Sequence, residues 1–191
     1  MATGDIKGVK EAAGPVWDEV NLKDEFIAKG GTLDAELNLG ENASLALDTA
    51  LSADGKYSGI VQSGTAGAAL AFGEVCYFAV ADSRWELAKA DEAATSGGVL
   101  LGICVLAAAG DGSTTKMLLW GTIRADAKFP TLTIGANVYI SAATAGLIAA
   151  GATNATTGQP TGTDHVIRVT GFALTANDLF FNPGSDYITH T

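Results

Sequence analysis

The chain has 191 residues, of which 48% are hydrophobic and only 17% charged, and its formal net charge is −10. Its 11 basic residues are scattered along the sequence. This distribution argues against nucleic acid as a partner, because phosphates are held by clustered Lys and Arg. No apolar run reaches the roughly 18 residues of a membrane span, and the start lacks the pattern of a secretory signal. The length suits one main β-domain with an extension or two small domains, and one main domain is the simpler interpretation.

The first 31 residues differ in character from the rest. Acidic and basic residues are interspersed here, and Gly and Pro break the regularity of the first half, which predicts an N-terminal arm over residues 1–31. A partial helical period followed by Gly30 and Gly31 predicts a short helix over residues 17–29. Three apolar side chains stand out in this polar segment, and we expect them to dock on the protein's own core or on a partner: Trp17, Phe26 and Ile27.

After the arm the pattern changes to a period of two. Leu and Ala alternate with polar residues over residues 33–39, as in a strand with one solvent-facing side. Residues 40–42 predict a hairpin turn into a second strand over residues 43–50. A tight turn around Asp54 and Gly55 then predicts a further strand over residues 57–63.

The centre of the sequence, residues 73–127, holds three short apolar runs bounded by turn-forming residues. They cover residues 75–80, 99–106 and 117–120, and their length and boundaries predict buried strands. The first two runs contain Cys76 and Cys104, which we predict to be free thiols in the core, with a disulfide between neighbouring strands as the less favoured alternative.

Residues 135–182 resemble residues 73–127. The segment at 135–141 echoes the one at 73–79, and residues 166–174 echo the apolar run at 99–106 around its glycine. The paired segments are separated by about 62 and about 69 residues respectively. We interpret this as a weak internal duplication of a hairpin unit.

These patterns predict an all-β, mainly antiparallel fold: a compact β-barrel or β-sandwich with an N-terminal arm and at most one or two short helices. Residues 32–191 would form a single β-domain. The Gly-rich, Ala-rich and weakly charged composition is typical of β-proteins that complete their core by assembling with copies of themselves. We therefore expect a homo-oligomer.

The sequence shows no spacing of residues that predicts catalysis, a cofactor or a metal site. His165 and His190 have no Cys, Ser or His at a motif spacing. Five carboxylates lie mostly in predicted turns, where Asp caps backbone N–H groups, and a paired-carboxylate glycosidase site is the less favoured alternative: Asp82, Asp91, Glu92, Asp111 and Asp126. Trp85 and Trp120 fall in alternating strands and are predicted to be core, although exposed tryptophans would suit a sugar platform.

Several blocks of the sequence resemble a family of tailed-bacteriophage structural proteins. The resemblance covers about residues 45–191 and leaves residues 1–44 outside. It rests on the segments at residues 47–60, 64–73, 82–88, 117–121 and 180–183.

This resemblance implies a small, non-enzymatic virion protein without a cofactor. It would be assembled into the particle in the host cytoplasm as a capsid decoration protein on the outside of the shell. Its partners would be the major capsid protein and other copies of itself, as a trimer, with no nucleic acid or membrane involved. The alternatives are a head or tail fibre component and a surface carbohydrate-binding module.

Overall fold

A computed structural model describes residues 41–149 and 158–191, together with the backbone of two short strands near the start. The chain divides into two units, Met1–Leu45 and Ala46–Thr191. In the first unit, β1 (Lys10–Glu11) pairs with β2 (Gly14–Pro15) in antiparallel fashion. The predicted helix over residues 17–29, the predicted strand over residues 33–39 and the three arm side chains lie outside the described residues: Trp17, Phe26 and Ile27.

The second unit is mainly antiparallel β-structure, so the predicted all-β fold is confirmed. Its helix, α1 (Ala93–Ser96), is a single turn. The strands, in chain order, are β3 (Lys56–Thr65), β4 (Val75–Ala79), β5 (Arg84–Leu87), β6 (Leu101–Leu106), β7 (Thr114–Arg124), β8 (Asn137–Tyr139), β9 (Val166–Ile167), β10 (Val169–Ala173), β11 (Asp178–Phe181) and β12 (Ile188–Thr189).

Eight of these strands form one sheet in the order β5-β4-β6-β7-β11-β10-β8, with β3 paired to β7 off this path. Strands β12 and β9 form a separate antiparallel pair near the end of the chain. The sheet curls into a half-barrel. Its curvature allows one face of the sheet to enclose apolar side chains from distant parts of the chain.

The prediction of a strand over residues 43–50 is wrong. This segment is irregular in the structure, and nearly all of its side chains are exposed. Asp48 accepts a hydrogen bond from the backbone N–H of Ala50 at 3.1 Å, while its own N–H donates to the Ser58 hydroxyl at 3.1 Å. Local side-chain bonds of this kind compete with strand pairing, and the alternating pattern here buries no apolar face.

Strand β7 organises the sheet because it joins the first half of the sheet, β3 to β7, to the second half, which consists of β8, β10 and β11. One edge of β7 pairs with β3 along the whole strand. The other edge of β7 pairs with β6 near Met117 and with β11 from Gly121 onward. The register with β3 shifts between Ile60 and Val61, and this β-bulge lies where β7 changes its neighbour. Bulges increase local twist, so the change of partner coincides with a bend in the sheet.

A glycine pair permits this bend. Gly59 lies opposite Gly121 in the register, and Gly121 has φ of 141°, a conformation that side chains with a Cβ atom rarely adopt. A Cβ atom on Gly121 would overlap the carbonyl oxygen of Ser58. The two strands approach so closely that neither position has space for a side chain.

The two halves of the sheet share a hydrogen-bond pattern. In the first half, Gly73 N–H donates to Cys104 O at 2.8 Å; in the second, Gly135 N–H donates to Ala173 O at 2.8 Å. Cys104 N–H returns to Glu74 O at 2.8 Å, and Ala173 N–H returns to Ala136 O at 3.0 Å. The strand order is also mirrored, with β4-β6-β7 on one side and β11-β10-β8 on the other. These bonds join the segments that the sequence pairs as a duplication.

Buried apolar side chains form two clusters. The main core draws on both halves and includes Val75, Ile103, Leu118, Val138, Leu179 and Phe181. The second core belongs to the first half and consists of Ala66, Leu70, Cys76, Trp85, Cys104, Ala108 and Met117. Neighbouring residues on β4, β6 and β7 therefore enter different cores, so the first half is buried on both of its faces.

Candidate interaction surface

Four apolar side chains form a continuous row across strands β3, β7, β11 and β10. We call this row the outer stripe, and it consists of Ile60, Trp120, Phe180 and Phe172. Ile60 lies opposite Trp120 in the register, and Phe180 lies opposite Phe172. The exposed fraction is 60% for Ile60, 39% for Trp120 and 41% for Phe172. Contiguous exposed apolar groups of this kind mark binding surfaces more often than isolated ones do.

The stripe is held in place by its own contacts. The Trp120 and Phe180 rings meet edge to face, with centroids 5.2 Å apart and planes at 78°. Thr122 lies opposite Phe180 in the register and two residues after Trp120; it is fully buried, and its hydroxyl has no hydrogen-bond partner among the described residues. The two rings therefore form an ordered apolar surface beside the buried Thr122 side chain.

Strand β3 forms one end of the stripe and also an open edge of the sheet. The β5 edge is capped, because Gly67 N–H donates to Trp85 O at 2.9 Å. The β8 edge is capped by residues 147–149, where Ala149 N–H donates to Tyr139 O at 2.8 Å. Within the described residues, β3 pairs with β7 alone, and eight of its ten residues are exposed.

The open edge carries little charge. Residues 57–65 contain no charged side chain and no proline, although the chain as a whole has a net charge of −10. Natural sheets usually protect an exposed edge with lysine, proline or a covering segment. At the start of β3, Lys56 lies opposite Arg124. Arg124 is held by Asp126 at 2.9 Å, and the hydrogen bond from its guanidinium lowers the pKa of the Asp126 carboxyl.

The two tryptophans predicted to be core occupy different environments. Trp85 is fully buried in the second core, as predicted, and meets Phe78 edge to face with centroids 5.3 Å apart. The prediction for Trp120 is wrong, since 39% of this side chain is exposed. Trp120 lies just after the bulge in β7, where the neighbouring strand has become β11 and the second core has ended.

Three of the five carboxylates that the sequence analysis places mostly in turns form ion pairs with basic side chains. Asp111 pairs with Arg84, Asp91 with Lys89 at 2.5 Å, and Asp126 with Arg124. Asp82 caps a backbone N–H, that of Arg84, at 3.3 Å. Glu92 precedes α1 without a side-chain cap. Each of the four aspartates thus has a structural partner, and the structure does not bring the five together as a cluster.

His165 and His190 are neighbours in the structure, although the sequence separates them. His190 N–H donates to His165 O at 2.8 Å, beside the pairing of β12 with β9. His165 Nδ1 accepts a hydrogen bond from Gly162 N–H at 3.1 Å. His165 also lines a cavity of about 490 Å³, together with Ala149 and Gly158. Among the described residues, no group of three or more His, Cys, Asp or Glu side chains could hold a metal ion.

Both cysteines are buried free thiols, as predicted. Burial raises the pKa of the Cys76 thiol well above its usual value, and the neighbouring Cys104 raises it further. Burial likewise raises the pKa of Cys104, although a hydrogen bond with Thr115 partly opposes this effect. Neither thiol is therefore prepared to act as a nucleophile, since the thiolate is the reactive form.

Sequence reasoning did not single out Arg168, which lies between β9 and β10 with 6% of its surface exposed. Its guanidinium donates to Gly184 O at 2.7 Å and Val99 O at 2.8 Å, and also to the carbonyls of Ser96 and Gly97. Burial lowers its pKa. Arg168 thus fixes the loop after α1 to the loop after β11. A lone Arg in an apolar segment is the sequence signal for a buried arginine that binds backbone carbonyls.

The described residues include no helix long and apolar enough to cross a membrane. Searches for similar proteins found no matching family model, curated protein or solved structure.

Proposed function

We propose that the chain is a non-enzymatic structural protein of a bacteriophage particle, a capsid decoration protein that binds the outside of the assembled shell as an oligomer and stabilises it. The observation that carries this proposal is the outer stripe, an apolar surface fixed on a β-sheet and suited to contact with protein. The resemblance of residues 45–191 to phage structural proteins supports the assignment to a virion.

On this proposal the protein acts by mass action. A protein that binds only the assembled shell lowers the free energy of that state and raises its resistance to heat. The partners would be the major capsid protein and other copies of the chain. The arm residues Trp17, Phe26 and Ile27 are the proposed capsid contacts, and they carry over from the sequence as an expectation.

The test is to bind the purified full-length chain to shells that lack it, and to measure its copy number per major capsid protein and the melting temperature of the shell. We expect saturable binding and a higher melting temperature. A variant with Trp17→Ala, Phe26→Ala and Ile27→Ala should bind fewer copies. Val80→Ala is the matched control, because Val80 is an apolar residue that is 87% exposed away from the stripe. Shells that neither bind the chain nor gain stability would refute the proposal, and unchanged occupancy of the triple variant would refute the arm contacts.

A second candidate is a surface carbohydrate-binding module, which the exposure of Trp120 favours. Sugar rings stack on exposed aromatic faces, and Trp120 is held at a fixed angle by Phe180. A glycan array probed with the wild type and with Trp120→Ala would decide this point. Binding to a defined glycan that is lost in the variant supports the module, and an array without binding rejects it.

A further inference from the structure

We propose that two copies of this chain associate through the open edge of β3, pairing their β3 strands antiparallel about a two-fold axis. This deepens the proposed function, which includes assembly as an oligomer, by naming the surface that performs it. A single free edge pairs with the same edge of another copy, because such a contact is self-complementary and closes after two subunits. The product is a dimer, whereas the resemblance to phage proteins implies a trimer.

The first argument is the state of the sheet edges. Irregular segments cap β5 and β8 with backbone hydrogen bonds. The third edge, β3, is ten residues long, and within the described residues it bonds to β7 alone. An unpaired row of N–H and C=O groups in an exposed strand is a template for another strand. A second β3 has the same length and the opposite direction after a two-fold rotation, so it satisfies the whole row.

The second argument is charge. Two chains that each carry a net charge of −10 repel one another, so their contact must avoid opposing carboxylates. With the two-fold axis at Ile60, Tyr57 faces Ser63 of the other copy, Ser58 faces Gln62, and Lys56 faces Gly64. No like charges then lie opposite each other along the paired strands. Like charges in such positions would weaken the pairing.

The third argument is the continuity of the apolar surface. In this register the two Ile60 side chains lie directly opposite each other on the face that carries Trp120. The outer stripe would then run from Phe172 of one copy through both Ile60 residues to Phe172 of the other. Ile60 is 60% exposed in the single chain, so it has the most exposed side chain of the stripe and gains the most burial.

The test measures the mass of the purified full-length chain by sedimentation velocity across a concentration series. The wild type should sediment at twice the chain mass of 19.3 kDa. Ile60→Lys should weaken the dimer by about tenfold or more, because it removes an apolar contact and places two ammonium groups at the axis. Val80→Lys is the matched control and should remain dimeric, since Val80 is 87% exposed in the turn after β4. Circular dichroism should show that all three proteins have the same fold.

A cross-link tests the register itself. Ile60→Cys should form a disulfide-linked dimer under mild oxidation, because directly opposite positions of paired strands have neighbouring Cβ atoms. Val80→Cys should cross-link much more slowly. The native thiols do not interfere, since Cys76 and Cys104 are buried.

A monomeric wild type, or a dimer that Ile60→Lys leaves intact, overturns the pairing. A dimer that Val80→Lys dissolves equally well also overturns it. None of these results bears on capsid binding, which is measured separately on shells. Conversely, a chain that dimerises through β3 but does not bind shells would retain the pairing and refute the decoration role.

Discussion

The two halves of the sheet have corresponding backbones but bury different numbers of faces. Cys104 and Met117 in the first half correspond to Ala173 and Leu179 in the second, and all four are buried. On the opposite face, Ile103 and Leu118 are fully buried in the main core. The corresponding residues of the second half belong to the outer stripe, and they are Phe172 and Phe180.

This difference shows how the two halves of the sheet are arranged. The second half packs against one face of the first, so the first half becomes a central layer with a core on each side. The second half is the last layer, and its outward face has no cover among the described residues. This exposed face carries the outer stripe, whose Ile60 end we place at the contact between two copies of the chain.

The largest expected effect concerns the two tryptophans. Trp85→Ala should lower the free energy of unfolding by about 3–5 kcal/mol, because it empties a fully buried site in the second core. Trp120→Ala should cost less than about 1 kcal/mol, since a partly exposed side chain leaves no closed cavity. Urea denaturation followed by circular dichroism measures both. Equal losses for the two variants would contradict the assignment of one tryptophan to the core and the other to the surface.

A closer test uses corresponding positions of the two halves. Ile103→Ala should destabilise the protein by about 2–5 kcal/mol, whereas Phe172→Ala should cost about 1 kcal/mol or less in the isolated chain. The comparison needs a concentration at which the chain is monomeric, because association through β3 would stabilise the folded chain and raise the measured free energy of unfolding. If Phe172→Ala proved as damaging as Ile103→Ala, the two halves would have equivalent faces.

The smallest effect is a pH dependence at the junction of β7 with β11. The guanidinium of Arg124 lowers the pKa of Asp126 from its usual 3.8, so this carboxylate stabilises the fold at neutral pH. The contribution is present above the unfolded pKa and is lost as the pH falls through the lower folded pKa. Asp126→Asn should thus have a slightly lower melting temperature at neutral pH and approach the wild type in strong acid. An unchanged difference at every pH would show that the pair does not contribute.

The sequence predicts the strands of the second unit well, because short apolar runs between turn residues leave few alternatives. It predicts the burial of Trp85, Cys76 and Cys104 for the same reason. It fails at residues 43–50, where alternation without a second layer produced no strand, and at Trp120. The error at Trp120 has a definite origin, since a bulge changes the face of every residue beyond it and sequence periodicity does not show where a bulge lies.

The candidate surface is hidden from the sequence for a related reason. Ile60, Trp120, Phe172 and Phe180 lie on four strands that are far apart in the chain, and they become neighbours only through the strand order. Their residue types are those of a core. Only the absence of a second layer over these strands in the described structure shows that they face outward.

The change of partner along β7 affects how the protein unfolds locally. Strand β7 is continuous through the point where β6 gives way to β11, so both neighbours pair with the same strand. The two halves are thus coupled through this shared strand as well as through the main core. Amide hydrogen exchange should find β6, β7 and β11 opening as one cooperative unit and not as two separate halves.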